Sequence, residues 1–469
     1  MVEPGERIHI IGIAGSGAAG TAVLLRHAGV DVDGCDLDAP SPYTPPLDDA
    51  GIAYMIGHDP EHLTGVTRVA ISPALRAVPH HRELDAARER GIPVVAWQSL
   101  LGELQSAPGR IGLGVTGTHG KSTTTALLGH LLISAGLDPT VEVGAFIGAW
   151  GASVRAGDGA PFVVEADEFA DNFLNYHPAG VIVTNVEMDH PDHFADREAV
   201  LDSFERFVRG MGSHPALNGR RLIIAADDPG ANDLVRRLAA WDGRIIRYGP
   251  GGEMVASEVE AGPDGTAFTL FDHRFWMSLA GSHNVMNATA AIVLARALGA
   301  NLDALAKGLA TFAGAGRRME LIADTGGVTI YDDYGHHPTE VRAALAAARQ
   351  KVGRDRRLWA VFEPHMYSRT ALLMDEFSIA FADADEVVIA DIFASRDTPE
   401  AMASTSAEAL ADAVERISAV PAIATGDVEA TTTYVAEHLG DNDAVVVMGA
   451  GKSYRIARGL AERLAEGRP

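Results

Sequence analysis

Residues 110–136 read RIGLGVTGTHGKSTTTALLGHLLISAG. The first part, RIGLGVTG, has the composition of a buried strand, and STTTALLGHLLISAG that of a helix. Between them stands Gly117-Thr118-His119-Gly120-Lys121-Ser122. Glycines let backbone N–H groups approach phosphate oxygens. A lysine at this place supplies a cation to the β and γ phosphates, and the following hydroxyl can ligate Mg²⁺. The helix N-terminus adds a favourable dipole. The usual phosphate-loop pattern begins with a glycine where this chain has Val115, flanked by Gly114 and Gly117. A second Gly-Lys-Ser, at 451–453, lacks the upstream spacing and reads as a structural turn.

The same alternation extends in both directions. Strand-like runs occur at 8–13 (IHIIGI), 66–72 (VTRVAIS) and 92–97 (IPVVAW), then at 162–167 (FVVEAD), 180–186 (GVIVTNV) and 221–227 (RLIIAAD). Beyond residue 320 come VTIYDDY, RLWAVFEP, EVVIAD and AVVVMGAG, separated by helical patterns such as PTEVRAALAAARQ. Strands alternating with helices imply α/β architecture, with parallel sheets covered on both faces. Breaks at Ser106–Gly109 and near Phe312–Arg318 divide the chain into three expected domains, 1–107, 108–316 and 317–469. No repeat or low-complexity tract is evident.

The 469 residues are 47% hydrophobic and 22% charged, an ordinary globular composition with length for several cores. The net charge of −25 argues against nucleic acid as a main partner, while leaving room for small phosphorylated ligands. The single cysteine, Cys35, rules out an intramolecular disulfide and any Cys-based zinc site, and fits a reducing cytoplasm. No signal peptide and no apolar run long enough for a membrane span are apparent.

Several further motifs stand in order along the chain. They are VVEADE (163–168), TNVEMDH (184–190), GSHNVMNATAA (281–291), GRRME (316–320) and DDYGHHPTE (332–340). Together with GTHGKS, they resemble the Mur ligase family over essentially the whole chain, and within it the alanine-adding branch. The resemblance implies a Rossmann-like N-terminal domain for a UDP-sugar, a central P-loop ATPase domain, and a Rossmann-like C-terminal domain that closes over the site. It implies an ATP- and Mg²⁺-dependent ligase that activates the lactyl carboxylate of UDP-N-acetylmuramate as an acyl phosphate. The acceptor would be L-alanine, and the enzyme a cytoplasmic monomer or homodimer in peptidoglycan precursor synthesis.

The resemblance also assigns residues. Gly117 to Ser122 and Thr123 hold the nucleotide phosphates, with Lys121 catalytic. Ser122, Glu165 and His190 hold the metal, with Glu168 a substitute for Glu165 or a substrate contact. Alternatively, Glu165 caps a helix and His190 is a satisfied core histidine. His283, Asn284 and Asn287 meet the adenine, since an amide can read a base edge, unless Ser282 or Asn284 serves as the helix N-cap. Arg318 and Asp333 reach phosphate and ribose, or else form an ordinary ion pair. Tyr334, His336 and Arg369 lie at the amino-acid end, with His336 orienting the amine and Arg369 gripping a carboxylate.

One departure, at Met366, and one absence that agrees with the alanine-adding branch bear on specificity. The alanine-adding members carry an arginine after Pro-His where this chain has Met366, which leaves open an acceptor that is a preformed tripeptide, as in murein recycling. No lysine occurs between Lys121 and Lys307, so the carbamylated lysine of other branches is absent. At the N-terminus, Gly15-Ser16-Gly17-Ala18-Ala19-Gly20 followed by Asp36 matches a dinucleotide fingerprint. The same turn can hold a UDP diphosphate, and His58 and Ser72-Pro73-Ala74 resemble the family's uridine-nucleotide domain. Taken alone, the fingerprint admits an NAD-dependent dehydrogenase; a non-catalytic nucleotide-binding regulator is the third alternative.

Overall fold

A computed structural model describes every residue except Asp38, Pro42, Pro73, Ala74, residues 76–79, Asp192, Arg468 and Pro469. Two compact units emerge. One comprises Met1–Ser257, Leu270–Phe275 and Met286–Ala313; the other comprises Glu258–Thr269, Trp276–Val285 and Gly314–Pro469.

The first unit contains two sheets. The N-terminal one is built from β1 (Arg7–Ile11), β2 (Asp31–Asp36), β3 (Tyr54–Ile56), β4 (Arg68–Ile71) and β5 (Val94–Ala96) in the order β3-β2-β1-β4-β5. All its pairings are parallel. Strand order reverses between β1 and β4, the place where such sheets receive ligands at their carboxyl ends.

The central sheet has the order β12-β11-β10-β6-β9-β7-β8. Its strands are β6 (Ile111–Thr116), β7 (Thr140–Ile147), β8 (Ala152–Arg155), β9 (Pro161–Glu165), β10 (Gly180–Val183), β11 (Arg221–Ala225) and β12 (Arg244–Tyr248). Only the β7–β8 edge is antiparallel. Leu113, Val115, Val163, Val164, Val181, Ile182 and Val183 are fully buried. Burial on both faces is why these strands read as unbroken apolar runs rather than alternating ones. The register sets Val115 beside Glu165 and Thr116 beside Val183. The phosphate loop therefore leaves β6 between the ends of β9 and β10.

Three short strands follow, β13 (Ser257–Gly262), β14 (Gly265–Leu270) and β15 (His273–Met277). The last sheet, in the second unit, has the order β16-β17-β21-β18-β19-β20. Its members are β16 (Glu320–Thr325), β17 (Val328–Asp333), β18 (Leu358–Phe362), β19 (Glu386–Ala390), β20 (Ala422–Gly426) and β21 (Ala444–Met448). It is parallel apart from β16. Three sheets rich in parallel strands, one in each domain, give the α/β class expected from the alternating pattern. Among the described residues, no helix is long and apolar enough to cross a membrane.

Candidate active site

The loop between β6 and the helix Lys121–Ser134 is clamped from the β10 side. The His119 amide donates to Asn185 Oδ1 at 2.8 Å, and Thr184 Oγ1 donates to the His119 carbonyl at 2.5 Å. The Glu187 amide donates to Thr118 Oγ1 at 2.8 Å. Gly117 has φ +135°, and a Cβ there would collide with Thr184 Oγ1. Gly120 has φ +80°, and its Cβ would stand 2.9 Å from Asn287 Oδ1. Both glycines are thus fixed by backbone conformation and by the closeness of the clamping residues.

Lys121 points back into its own loop. Its Nζ donates to the carbonyls of Gly117 (2.7 Å) and Thr118 (3.1 Å), and to Glu168 Oε2 and Oε1 at 2.9 and 3.1 Å. Asp167 stands 3.9 Å away. Burial works against the ammonium, but Glu168 and Asp167 outweigh it and hold the lysine charged, above its usual range. The same burial pushes the Glu168 carboxyl up to about 7 against the pull of Lys121.

Glu165, at the end of β9, accepts from Ser122 Oγ at 2.9 Å and from the Gly144 amide at 2.6 Å. It thereby joins the helix start to β7 and caps no helix. The expected metal set is Ser122, Glu165 and His190. Ser122 and Glu165 are brought into contact, whereas the carboxylates gathered with His190 are Asp167 and Glu168, all three offering ligand atoms within 4.8 Å of one another. His190 adopts φ +54°, its amide donates to Asp189 Oδ1 at 2.7 Å, and its ring lies 4.9 Å from that of Phe169. A hard divalent cation takes carboxylate oxygens and retains waters, so this donor set fits Mg²⁺.

Two neighbours escaped the sequence reading. Asp167 belongs to the quoted EADE motif but was given no role. Glu142 on β7 is buried, and burial together with Glu165 and Asp167 raises its carboxyl well above the ordinary range. An acid inside an otherwise apolar strand was the available signal. Thr123 is buried in the first helical turn.

Asn284 and Asn287 are both buried, and Asn284 Nδ2 donates to the Ala280 carbonyl at 2.7 Å. Burial pushes the His283 imidazole down to about 4.

In the C-terminal sheet, Asp333 ends β17 and accepts from the Gly335 amide at 2.7 Å and the Met319 amide at 2.8 Å. Burial raises its carboxyl to about 6. Arg318 lies over the Tyr334 ring, 5.0 Å from its centroid, and 3.9 Å from Glu340. His336 Nδ1 is 3.1 Å from the Tyr334 carbonyl, and its ring is 5.8 Å from that of His365. Arg369, 1% exposed, reaches His365 Nδ1 at 3.2 Å. Tyr334, His336, His365 and Arg369 thus form a linked series. Met366 is buried at φ +70°, and Arg396 Nη2 lies 4.0 Å from its sulfur. Arg396, from the segment after β19, places a guanidinium beside the position where an arginine is missing; the sequence reading did not anticipate it. In the second Gly-Lys-Ser, the Ser453 amide donates to Glu363 at 2.8 Å and its hydroxyl to the Gly449 carbonyl at 3.0 Å, bonds that hold the turn from within.

At the N-terminal glycines, Gly17 is required by packing, since a Cβ would run into the Trp97 ring, and Gly20 likewise abuts Val154. Gly15 precedes the helix that begins at Ser16. Asp36 accepts from the amides of Ala14 (3.0 Å) and Leu37 (2.8 Å). His58 touches Glu83 at 3.1 Å. Ser72 follows β4, its carbonyl accepting from the Leu75 amide at 3.0 Å; Pro73 and Ala74 lie outside the described residues.

Family models match three successive stretches: the Mur ligase family catalytic domain at 7–107, the Mur ligase middle domain at 115–295, and the Mur ligase glutamate ligase domain at 317–451. A UDP-N-acetylmuramate–L-alanine ligase of Mycolicibacterium vanbaalenii is 39% identical over 98% of this chain and 96% of its own. The chain belongs to the Mur ligase family. A second Mur relative, the UDP-N-acetylmuramate–L-alanine ligase of Caulobacter vibrioides, is 35% identical over 95% of this chain and 93% of that one. The fold matches the crystal structure of the UDP-N-acetylmuramate–alanine ligase of Thermotoga maritima with a TM-score of 0.80, at 23% identity over 98% and 100% of the two chains. A murein peptide ligase of Psychrobacter arcticus matches with a TM-score of 0.66, at 25% identity over 98% of each chain. Membership of this Mur family implies use of ATP, in keeping with the phosphate loop.

Proposed function

We infer that this chain is an ATP-dependent UDP-N-acetylmuramate–L-alanine ligase of peptidoglycan precursor synthesis. The observation that carries the reading is the loop itself: one ammonium, Lys121, held on a strand-to-helix bend by Glu168, with Asp167 and His190 gathered beside it. The γ-phosphoryl group passes to a lactyl carboxylate oxygen, giving an acyl phosphate and ADP. The amine of L-alanine then attacks the acyl carbon, and phosphate leaves as the amide forms.

Roles follow from residue chemistry. Amides of Gly117 to Thr123 and the Lys121 ammonium bind the triphosphate. Ser122, Glu165 and His190 would hold Mg²⁺, with Asp167 and Glu168 as neighbouring oxygens; bound there, the ion would supply charge neutralisation to the phosphates. His283, Asn284 and Asn287 serve the base, Asp333 the ribose, and Arg318 the phosphoryl charge that spreads during transfer. Tyr334, His336 and Arg369 receive the amino acid, joined by Arg396 where Met366 removes a donor. Gly15, Ser16, Gly17, Asp36, His58 and Ser72 serve the nucleotide sugar, with domains at 1–107, 108–316 and 317–469. The reading includes a cytoplasmic monomer or homodimer.

The test is phosphate release with UDP-N-acetylmuramate and ATP against L-alanine, glycine, L-serine and a preformed tripeptide. Release that needs both the nucleotide sugar and L-alanine is the expected result. Preference for the tripeptide replaces the acceptor, and release indifferent to both sugar and amine overturns the ligase.

A further inference from the structure

A second group of metal-ligating side chains lies in the N-terminal sheet, outside the phosphate loop. His9 on β1, Cys35 on β2 and Glu83 in the first turn of the helix Arg82–Glu89 are each fully buried. His62, from the short helix Pro60–Leu63, closes the group with 18% of its side chain exposed. Their ligand atoms all lie within 4.8 Å of one another. We propose that His9 Nε2, Cys35 Sγ, His62 Nδ1 and the Glu83 carboxylate form a tetrahedral site for a borderline-soft divalent cation of the zinc class.

The separations carry the argument. Zinc-type bonds of about 2.0 Å to nitrogen or oxygen and about 2.3 Å to sulfur make a tetrahedron with edges of roughly 3.3–3.8 Å. His9 Nε2 is 3.3 Å from Cys35 Sγ and 3.7 Å from Glu83 Oε1. Cys35 Sγ to Glu83 Oε2 is 3.0 Å, and His62 Nδ1 to Glu83 Oε1 is 2.6 Å. The first two already match tetrahedral edges; the last two are hydrogen bonds that an ion would replace with a shift of about an ångström or less on the same bond lengths.

His9 is oriented for ligation. Its Nδ1 meets Asp33 Oδ1 at 2.6 Å, and Asp33 is itself held by Arg7 at 3.1 Å. A carboxylate on one ring nitrogen fixes the tautomer and turns the other nitrogen's lone pair toward the ion. Nitrogen, sulfur and carboxylate donors in one buried set suit zinc over magnesium or calcium. Apolar neighbours of the same core, Ile11, Leu63, Val69 and Leu84, keep water away. Ligation sends the Cys35 thiol proton to solvent, since the bound form is the thiolate. His58 Nδ1, 3.2 Å from Cys35 Sγ and 3.1 Å from Glu83 Oε2, remains as an outer hydrogen-bond partner.

A lone cysteine was taken to exclude any Cys-based zinc site. The proposed site revises that, because the fold gathers the other ligands from 26, 27 and 48 positions away, a spacing with no motif.

The experiment uses the full chain, stripped with chelator, kept reduced and titrated with Co²⁺. A thiolate-to-cobalt charge-transfer band and the visible bands of a four-coordinate ion should grow in and saturate at one equivalent in this site, and Zn²⁺ should displace that ion. Because Cys35 is the chain's single cysteine, that band reports this site alone and ignores any cation at the phosphate loop. Cys35→Ser should abolish the band and weaken Zn²⁺ binding at least tenfold. Asp33→Asn should weaken binding about 10–100-fold, the usual effect of removing an outer partner. Should Cys35→Ser unfold, His62→Ala, at the partly exposed edge, carries the same expectation. Absence of a thiolate band with Co²⁺ in excess, or Zn²⁺ affinity unchanged by both Cys35→Ser and His62→Ala, overturns the site.

Discussion

Glu168→Gln keeps the shape and hydrogen-bonding reach of the side chain and removes its charge. In the folded chain the Lys121 ammonium meets Glu168 at 2.9 Å, with 3% of the Glu168 side chain exposed. Breaking a buried pair by removing one partner costs about 3–5 kcal/mol, because the other charge is left uncompensated. Here compensation is partial. Two backbone carbonyls stay bonded to Nζ, and Asp167 remains at 3.9 Å. By distance alone Asp167 offers roughly three-quarters of the attraction that Glu168 supplies. Its side chain is 43% exposed, however, so water screens it more. Because burial holds Glu168 up at about 7, the loss is expected in full only above that range, about 2–4 kcal/mol without nucleotide at about pH 8.5, shrinking as the carboxyl takes up a proton. ATP brings phosphate oxygens to the same ammonium, so the deficit should shrink when it binds. Urea unfolding of wild type and variant, each with and without saturating ATP and Mg²⁺, measures both quantities. Equal stability of the nucleotide-free proteins, or a deficit that nucleotide leaves unchanged, would refute the pairing argument.

Gly117→Ala forces a side chain into φ +135° against Thr184 Oγ1. It should cost about 2–4 kcal/mol in thermal unfolding and weaken ATP binding, with partial recovery on adding Thr184→Ala. Arg396→Ala should raise KM for L-alanine about tenfold, the loss of one charged hydrogen bond, with little change in KM for ATP. An unchanged KM for L-alanine removes Arg396 from the acceptor site. His283 is held neutral in the folded chain, its imidazole down to about 4 from an ordinary 6.5. A depressed histidine contributes stability that is complete above pH 6.5 and lost as pH falls through about 4, up to about 3 kcal/mol. His283→Gln should therefore flatten the decline in melting temperature across that window; an unaltered decline sinks the assignment.

What could be read directly from the chain was whatever lies close in sequence. The phosphate loop is one continuous strand, turn and helix, so its glycines, Lys121 and Ser122 were visible together. Glu165 was visible too, as an acid closing an apolar run. Glu142 was not, because it meets Glu165 only through the order β6-β9-β7, and nothing in residues 140–147 announces that order. Arg396 and Met366 are separated by two short helices and the whole of β19, and meet only in the folded chain. The N-terminal glycines show the converse case. Their spacing suggests a ligand, and Trp97 and Val154 show that packing demands Gly17 and Gly20 as well. Spacing reports local geometry reliably; what a residue faces across the sheet is a property of topology.

That topology leaves the phosphate loop with a charge problem. Around one lysine stand Glu165, Asp167 and Glu168, with Glu142 buried behind Glu165 and kept well above the usual carboxylate range by burial and by Glu165 and Asp167. A nucleotide triphosphate adds further negative charge to this surplus, and one ammonium cannot offset both. A divalent cation can, since it interacts favourably with carboxylates and phosphates at once. ATP affinity should therefore fall by at least tenfold when Mg²⁺ is chelated. The same loss should be smaller in Glu168→Gln, where one competing carboxylate has gone. Calorimetric titration of ATP with and without chelator measures both, and ATP that binds equally well to the wild-type chain without a divalent ion would mean that these carboxylates do not face the phosphates.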